Sequence, residues 1–215
     1  MAGIYIKGVY LFIVFEGTDG AGKTTQANLL HSYLRKEGVK SVLTKEPTDG
    51  IMGSLIHKAL YELDKPLIND KKANLMALQL LFVADRAEHI YNYIIPEQKS
   101  GNVVISDRYV LSTVAYGIAS GLDKRWLIEL NKYFPEPDLT ILIDVKPKNA
   151  ITRLSRRAVT TEYFEKLKFI ERSRKAYLQL RHLHDNCFVI DGNMSKEENA
   201  SKISKIVESK LQRKK

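Results

Sequence analysis

Tyr10-Leu11-Phe12-Ile13-Val14-Phe15 runs through Glu16 into Gly17-Thr18-Asp19-Gly20-Ala21-Gly22-Lys23-Thr24. The first stretch is continuously apolar, as a strand covered on both faces is. The second matches G-x-x-x-x-G-K-[ST] in full, and a helical pattern over Lys23–Glu37 follows it. Glycines at 17, 20 and 22 let the backbone make turns closed to other residues. Successive N–H groups then point inward at phosphate oxygens, and the helix N-terminus adds partial positive charge. Lys23 can reach the β- and γ-phosphates of a nucleotide, and the Thr24 hydroxyl can ligate magnesium. The motif leaves open what accepts the phosphate.

Outward from this loop, apolar runs alternate with helical patterns. Further strands are expected at Ser41–Thr44, Val103–Ser106, Leu139–Val145 and Phe188–Ile190. Helices are expected near Gly53–Tyr61, Lys71–Ile95, Leu111–Ile118, Lys124–Tyr133, Lys148–Arg156, Glu162–Arg181 and Lys196–Leu211. This alternation predicts an α/β fold with a mainly parallel sheet and right-handed crossovers. Ligands bind beyond the carboxyl ends of such strands, which directs attention to 15–25, 44–49, 106–109 and the segment after Val145.

The 215 residues suffice for one α/β domain, and no repeat or Gly/Ser/Pro linker divides them. No apolar run approaches bilayer length, so no membrane partner is expected, and no secretory signal is read at the start. A single cysteine, Cys187, fits a reducing cytoplasm and reads as a core thiol. The net charge of +9 is concentrated in the tail, where a solvated helix face explains it more simply than nucleic acid does.

Asp107-Arg108 ends the third strand, where the carboxylate can hold magnesium through water and the guanidinium can hold an acceptor phosphate. An N-cap Asp with a surface Arg is an equal alternative. Met76, Leu80, Val83, Ala87, Ile90 and Ile94 form a stripe expected to face the core. Phe82 and Arg86 lie one turn apart on another face, as a base platform or as a second packing surface. His89 is expected at a polar rim. Arg153, Arg156 and Arg157 share one helix face, either solvated or as a lid over the transferring phosphoryl.

Phe15–Thr24, Lys45-Glu46-Pro47-Thr48, Leu81-Phe82-Val83-Ala84-Asp85-Arg86, Asp107-Arg108-Tyr109 with Ser112-Thr113-Val114-Ala115-Tyr116, and Pro137–Thr140 together resemble the thymidylate kinase family in order and spacing. The resemblance implies a three-layer P-loop NTPase fold, a five-stranded sheet of order 2-3-1-4-5, and a short lid at about 153–165. It implies transfer of the γ-phosphoryl of ATP to dTMP, with Mg2+ accompanying ATP, and a homodimer.

Implied for ATP are Gly17 to Thr25 (including Thr18, Asp19, Gly20, Ala21 and Gly22), Arg153, Asp191 and Asn193, with Thr24 and Asp107 serving magnesium. Implied for dTMP are Asp19 at the 3′-hydroxyl, Arg108 at the phosphate with Lys45 nearby, and Phe82 stacked on thymine. Arg86 is implied at its carbonyl edge and Thr113 beside it, with Tyr116 under the sugar and Glu46 and Ser112 lining the site. Four positions depart from the family. Thr48-Asp49 replace Gly-Gly, Gly117 replaces a Gln, and Glu162–Glu165 lacks the lid arginine. Gly20 stands where one branch carries a catalytic arginine, which leaves Arg156 or Arg157 as the expected transition-state cation.

Overall fold

The computed structural model describes residues 11–154, 161–183 and 185–213, without the side chains of 161–164 and 213. Five parallel strands form one sheet: β1 Phe12–Glu16, β2 Ser41–Lys45, β3 Val103–Asp107, β4 Leu139–Asp144 and β5 Cys187–Asp191. Their order is β2-β3-β1-β4-β5, as the resemblance implies. β1 is central, pairing Phe15 with both Asp107 and Ile141. Its alternate side chains enter opposite cores. Leu11, Ile13 and Phe15 join one cluster, while Phe12 and Val14 join another. That two-sided burial is why the run is apolar throughout, and each such side chain contributes about 1.5–3 kcal/mol.

The helices are α1 Lys23–Lys36, α2 Ile51–His57, α3 Lys71–His89, α4 Ile95–Lys99, α5 Val110–Ala119, α6 Lys124–Asn131, α7 Pro147–Leu154, α8 Thr161–Leu180 and α9 Lys196–Arg213. α1 buries Lys23, Gln26, Ala27, Leu30 and Leu34, a stripe of three- and four-residue steps. Asp70 and Asp123 start α3 and α6 by accepting from Ala73 N and Trp126 N at 2.7 and 2.8 Å.

The expected helix over Lys71–Ile95 continues to Lys99, through a π-helical turn at Ile90–Ile94. Pro96 follows at once and has no N–H for an α-helical bond, so the widened turn absorbs the mismatch. The stripe expected to face the core does so only at its end. Ile90 and Ile94 are buried, but Leu80 is 51 % exposed and Met76, Val83 and Ala87 are half-buried. α3 turns inward a polar face instead: Gln79, Asp85, Arg86 and His89. His89 is therefore a buried residue and does not lie at a rim. Its ring meets Glu46 and Thr44 at 3.1 and 2.6 Å. Cys187 is partly buried against the core, and burial raises its thiol pKa to about 11, which suits an inert thiol.

Candidate functional site

The strand ends bring chemistry to one edge. Lys45 pairs in register with Asp107, and Phe15 with Asp107 on the other side, so β2, β3 and β1 present Lys45, Asp107 and Glu16 together. The loop after β1 winds tightly. Gly17 and Gly20 have φ of 140° and 76°, and a Cβ on either would approach the carbonyl oxygens of Ile143 and Ala150 to 2.5 and 2.3 Å. Glycine is required at both on conformation and on space.

Lys23 opens α1 and is 6 % exposed. Its ammonium donates to Thr18 O at 2.9 Å. Burial, and after it the charge of Arg108, lowers its pKa to about 8 against the pull of Asp107, Asp19 and Glu16. Thr24 Oγ1 donates to Asp107 Oδ2, and Asp107 Oδ1 is buried without a partner among the described residues. Asp107 is not an N-cap; Tyr109 holds that position in α5.

Arg108 is a non-glycine residue at φ 78°, a strained conformation that persists only where its surroundings hold it. Its N–H donates to Phe15 O at 2.9 Å. Glu16 Oε1 accepts from Tyr109 N at 2.9 Å and Ser112 N at 3.2 Å, and Glu16 Oε2 accepts from Ser112 Oγ. These bonds tie the start of α5 to the end of β1 and fix the turn that aims Arg108. The guanidinium is ion-paired to Asp19, lies 3.1 Å from Ser112 Oγ, and stacks over Tyr116 at 5.2 Å. Tyr116 Oη in turn accepts from Asp19 N at 3.0 Å. Glu16 is fully buried, and desolvation raises its pKa to about 7.

Two cavities meet here. One, about 490 Å³, is bounded by Gly20, Gly22 to Thr25, Asp107, Lys45 and Arg153. The other, about 400 Å³, is walled by Phe82, Arg86, Ser112, Thr113, Tyr116 and further apolar side chains. Asp19, Glu46 and Arg108 line both. Phe82 therefore faces a cavity. Arg86 is 1 % exposed and donates to Glu46 at 2.6 Å, Thr113 at 2.8 Å and Asn131. It is at once part of a buried network and a wall of the second cavity.

Other expected residues are placed as follows. Arg153 donates to Gly20 O, Ala21 O and Gly192 O at 3.3, 3.4 and 2.8 Å, joining the phosphate loop to the turn after β5. Asp191 and Asn193 shape that turn, Asp191 Oδ1 accepting from Asn193 N at 2.9 Å, and neither lines the first cavity. Lys45 is half exposed and paired with Asp49 at 3.0 Å. Thr48, the other departure in that loop, donates to Asp85 from both N and Oγ1 at 3.0 and 2.5 Å, which gives the loop a side-chain anchor. Arg156 and Arg157 lie outside the described residues. Glu16, Asn131 and Tyr177, whose hydroxyl lies 2.8 Å from Ser112 Oγ, were missed as supports; of the three, Glu16 stands beside a motif, and a lone buried carboxylate has no periodic signal.

Known proteins match this arrangement. The family model described as thymidylate kinase matches residues 15–203. A relative named probable thymidylate kinase from Thermococcus gammatolerans is 40% identical over 202 residues, 94% of this chain and 97% of its own. A protein of the same name from Pyrococcus horikoshii is 40% identical over 93% of this chain and 97% of its own. The thymidylate kinase of Thermosipho africanus is 38% identical over 94% of this chain and its entire length.

Proposed function

The chain belongs to the thymidylate kinase family, and from that premise we infer that it transfers the γ-phosphoryl of ATP to dTMP, giving dTDP and ADP. The observation that carries this reading is the meeting of two cavities at Asp19 and Arg108. The donor's phosphates belong in the glycine loop, with Lys23 leaving Thr18 O to hold them. The acceptor's base belongs against Phe82, its edge toward Arg86 and Thr113, its sugar over Tyr116 and its phosphate on Arg108. Asp19 exchanges its pairing with Arg108 for the sugar hydroxyl. The acceptor phosphate is already an anion, so in-line transfer needs positioning and charge neutralisation, with neither a strong base nor a covalent intermediate.

The unpartnered Asp107 Oδ1 beside the Thr24 hydroxyl suits a hard, oxygen-seeking cation. Thr24 would hold Mg2+ and Asp107 would hold it through water, and the ion would supply charge neutralisation at the β- and γ-phosphates. Arg153 belongs near the adenine, beside the turn at Asp191 and Asn193. Arg156 and Arg157 are the proposed transition-state cations of a lid at about 153–165 within one domain. Arg156→Ala and Arg157→Ala, singly and together, should lower kcat far more than dTMP affinity; full kcat in all three removes that role.

The half-exposed apolar residues of α3 around Leu80, with Ile51 and Leu55 of α2 at 72 and 46 % exposure, support a homodimer. Sedimentation equilibrium at twice the 24.5 kDa chain mass is expected, and a single-chain mass contradicts it. No described helix is long and apolar enough to cross a membrane, and we place the enzyme in the cytoplasm without nucleic acid as a partner. Fluorescence of a tagged chain in cells checks the location.

The test of the function is mass detection of products after incubation with ATP, Mg2+ and a mixture of nucleoside monophosphates. dTDP should dominate. A different diphosphate reassigns the acceptor, and ATP hydrolysis without any diphosphate ends the reading.

A further inference from the structure

Gln79 lies on the buried face of α3 that also carries Phe82 and Arg86, at steps of three and four residues. It is 6 % exposed, yet it lines the second cavity. Its carboxamide oxygen is buried without a hydrogen-bond partner among the described residues. Leu75, Leu78 and Phe82, which share that wall, offer no donor. Buried polar groups are almost always paired, so an unmade acceptor on a cavity wall is matched to a donor that enters the cavity.

A second unmade group lies two turns on. Arg86 Nε is buried without a partner among the described residues, while its terminal nitrogens are committed to Glu46, Thr113 and Asn131. Arg86 stands about 10.5 Å along the helix from Gln79, so the two groups meet different parts of a ligand. The imide edge of thymine or uracil presents a donor, N3–H, to the Gln79 oxygen. Cytosine presents a bare N3 there, an acceptor set against an acceptor.

We propose that Gln79 is a specificity-determining residue, its carboxamide oxygen accepting the N3–H of the acceptor base. The proposal rests on the reading of the second cavity as the acceptor site.

Initial rates of Gln79→Met with dTMP and with dCMP test it. Methionine keeps the length and removes the polar atoms. The dTMP KM should rise about tenfold to a hundredfold with kcat held within about twofold, and the preference for dTMP over dCMP should fall by the same factor. Gln79→Glu keeps an acceptor of equal reach and should hold the preference within about threefold of the parent. An unchanged dTMP KM in Gln79→Met, or equal losses on both acceptors, overturns the proposal. Should the methionine variant not fold, the glutamate variant decides alone: a collapsed preference overturns it and a held preference supports it. A parent enzyme that leaves dTMP unphosphorylated refutes the acceptor assignment instead, which is a separate failure.

Discussion

Arg108→Met should lower kcat/KM for dTMP by about 10²–10³ while ATP binds the variant as tightly as the parent. Arg108 lines both cavities, so its guanidinium is the group we propose for the point where the two phosphates meet. It is held by Asp19, Ser112 and Tyr116. Methionine removes the charge and the donors, and it keeps a long stem against Tyr116. It also bears the same backbone strain at φ 78°, so the comparison isolates the side chain. Steady-state rates across dTMP concentrations, with calorimetric titration of ATP, give both numbers. Loss of ATP affinity equal to the loss in kcat/KM would place Arg108 on the donor.

Lys23→Met is expected to lower kcat by about 10³ or more and to leave the fold intact or more stable. The two effects have one cause. Folding buries an ammonium whose pKa falls to about 8 and which, among the described residues, donates to Thr18 O. The folded-state value is depressed below that of the unfolded chain. For a basic group, that cost is fully present below about pH 8 and is relieved as pH rises toward 10.5. Methionine removes the cost at neutral pH.

In the parent enzyme a bound triphosphate should offset it by restoring the proton. Near pH 9, calorimetry in buffers of different ionisation enthalpy should show proton uptake on ATP binding. The methionine variant should lack that uptake. Proton uptake that survives in Lys23→Met assigns it to another group, and a lower melting temperature at pH 7 refutes the buried-charge argument.

The sheet was legible because its signals are local and agree with one another. β1 is apolar from Phe12 to Phe15 because both its faces are covered, and the glycines that follow are each required by a turn or a close approach. α3 was legible as a helix and misjudged as a surface. Periodicity assigns the apolar stripe to the core on the assumption that polar residues seek water. Here Asp85, Arg86 and His89 find Thr48, Glu46, Thr113 and Thr44 inside the protein. The helix can therefore bury its polar face, and Leu80 is left outside.

The side chains that line the two cavities followed from motif positions, whereas their supports did not. Glu16 organises the turn through Tyr109 and Ser112, residues more than 90 positions away. Only the pairing of β1 with β3 brings them together. Gln79 escaped notice for a similar reason, since an amide on a helix is read as solvated until the cavity beside it is seen.

The most direct test of the central claim is a crystal structure with dTMP and a non-hydrolysable ATP analogue bound together. The two phosphate chains should meet end to end between Lys23 and Arg108, with thymine flat against Phe82 and its edge toward Arg86 and Gln79. A base bound away from Phe82, or an acceptor phosphate out of reach of Arg108, would contradict the joined-cavity mechanism.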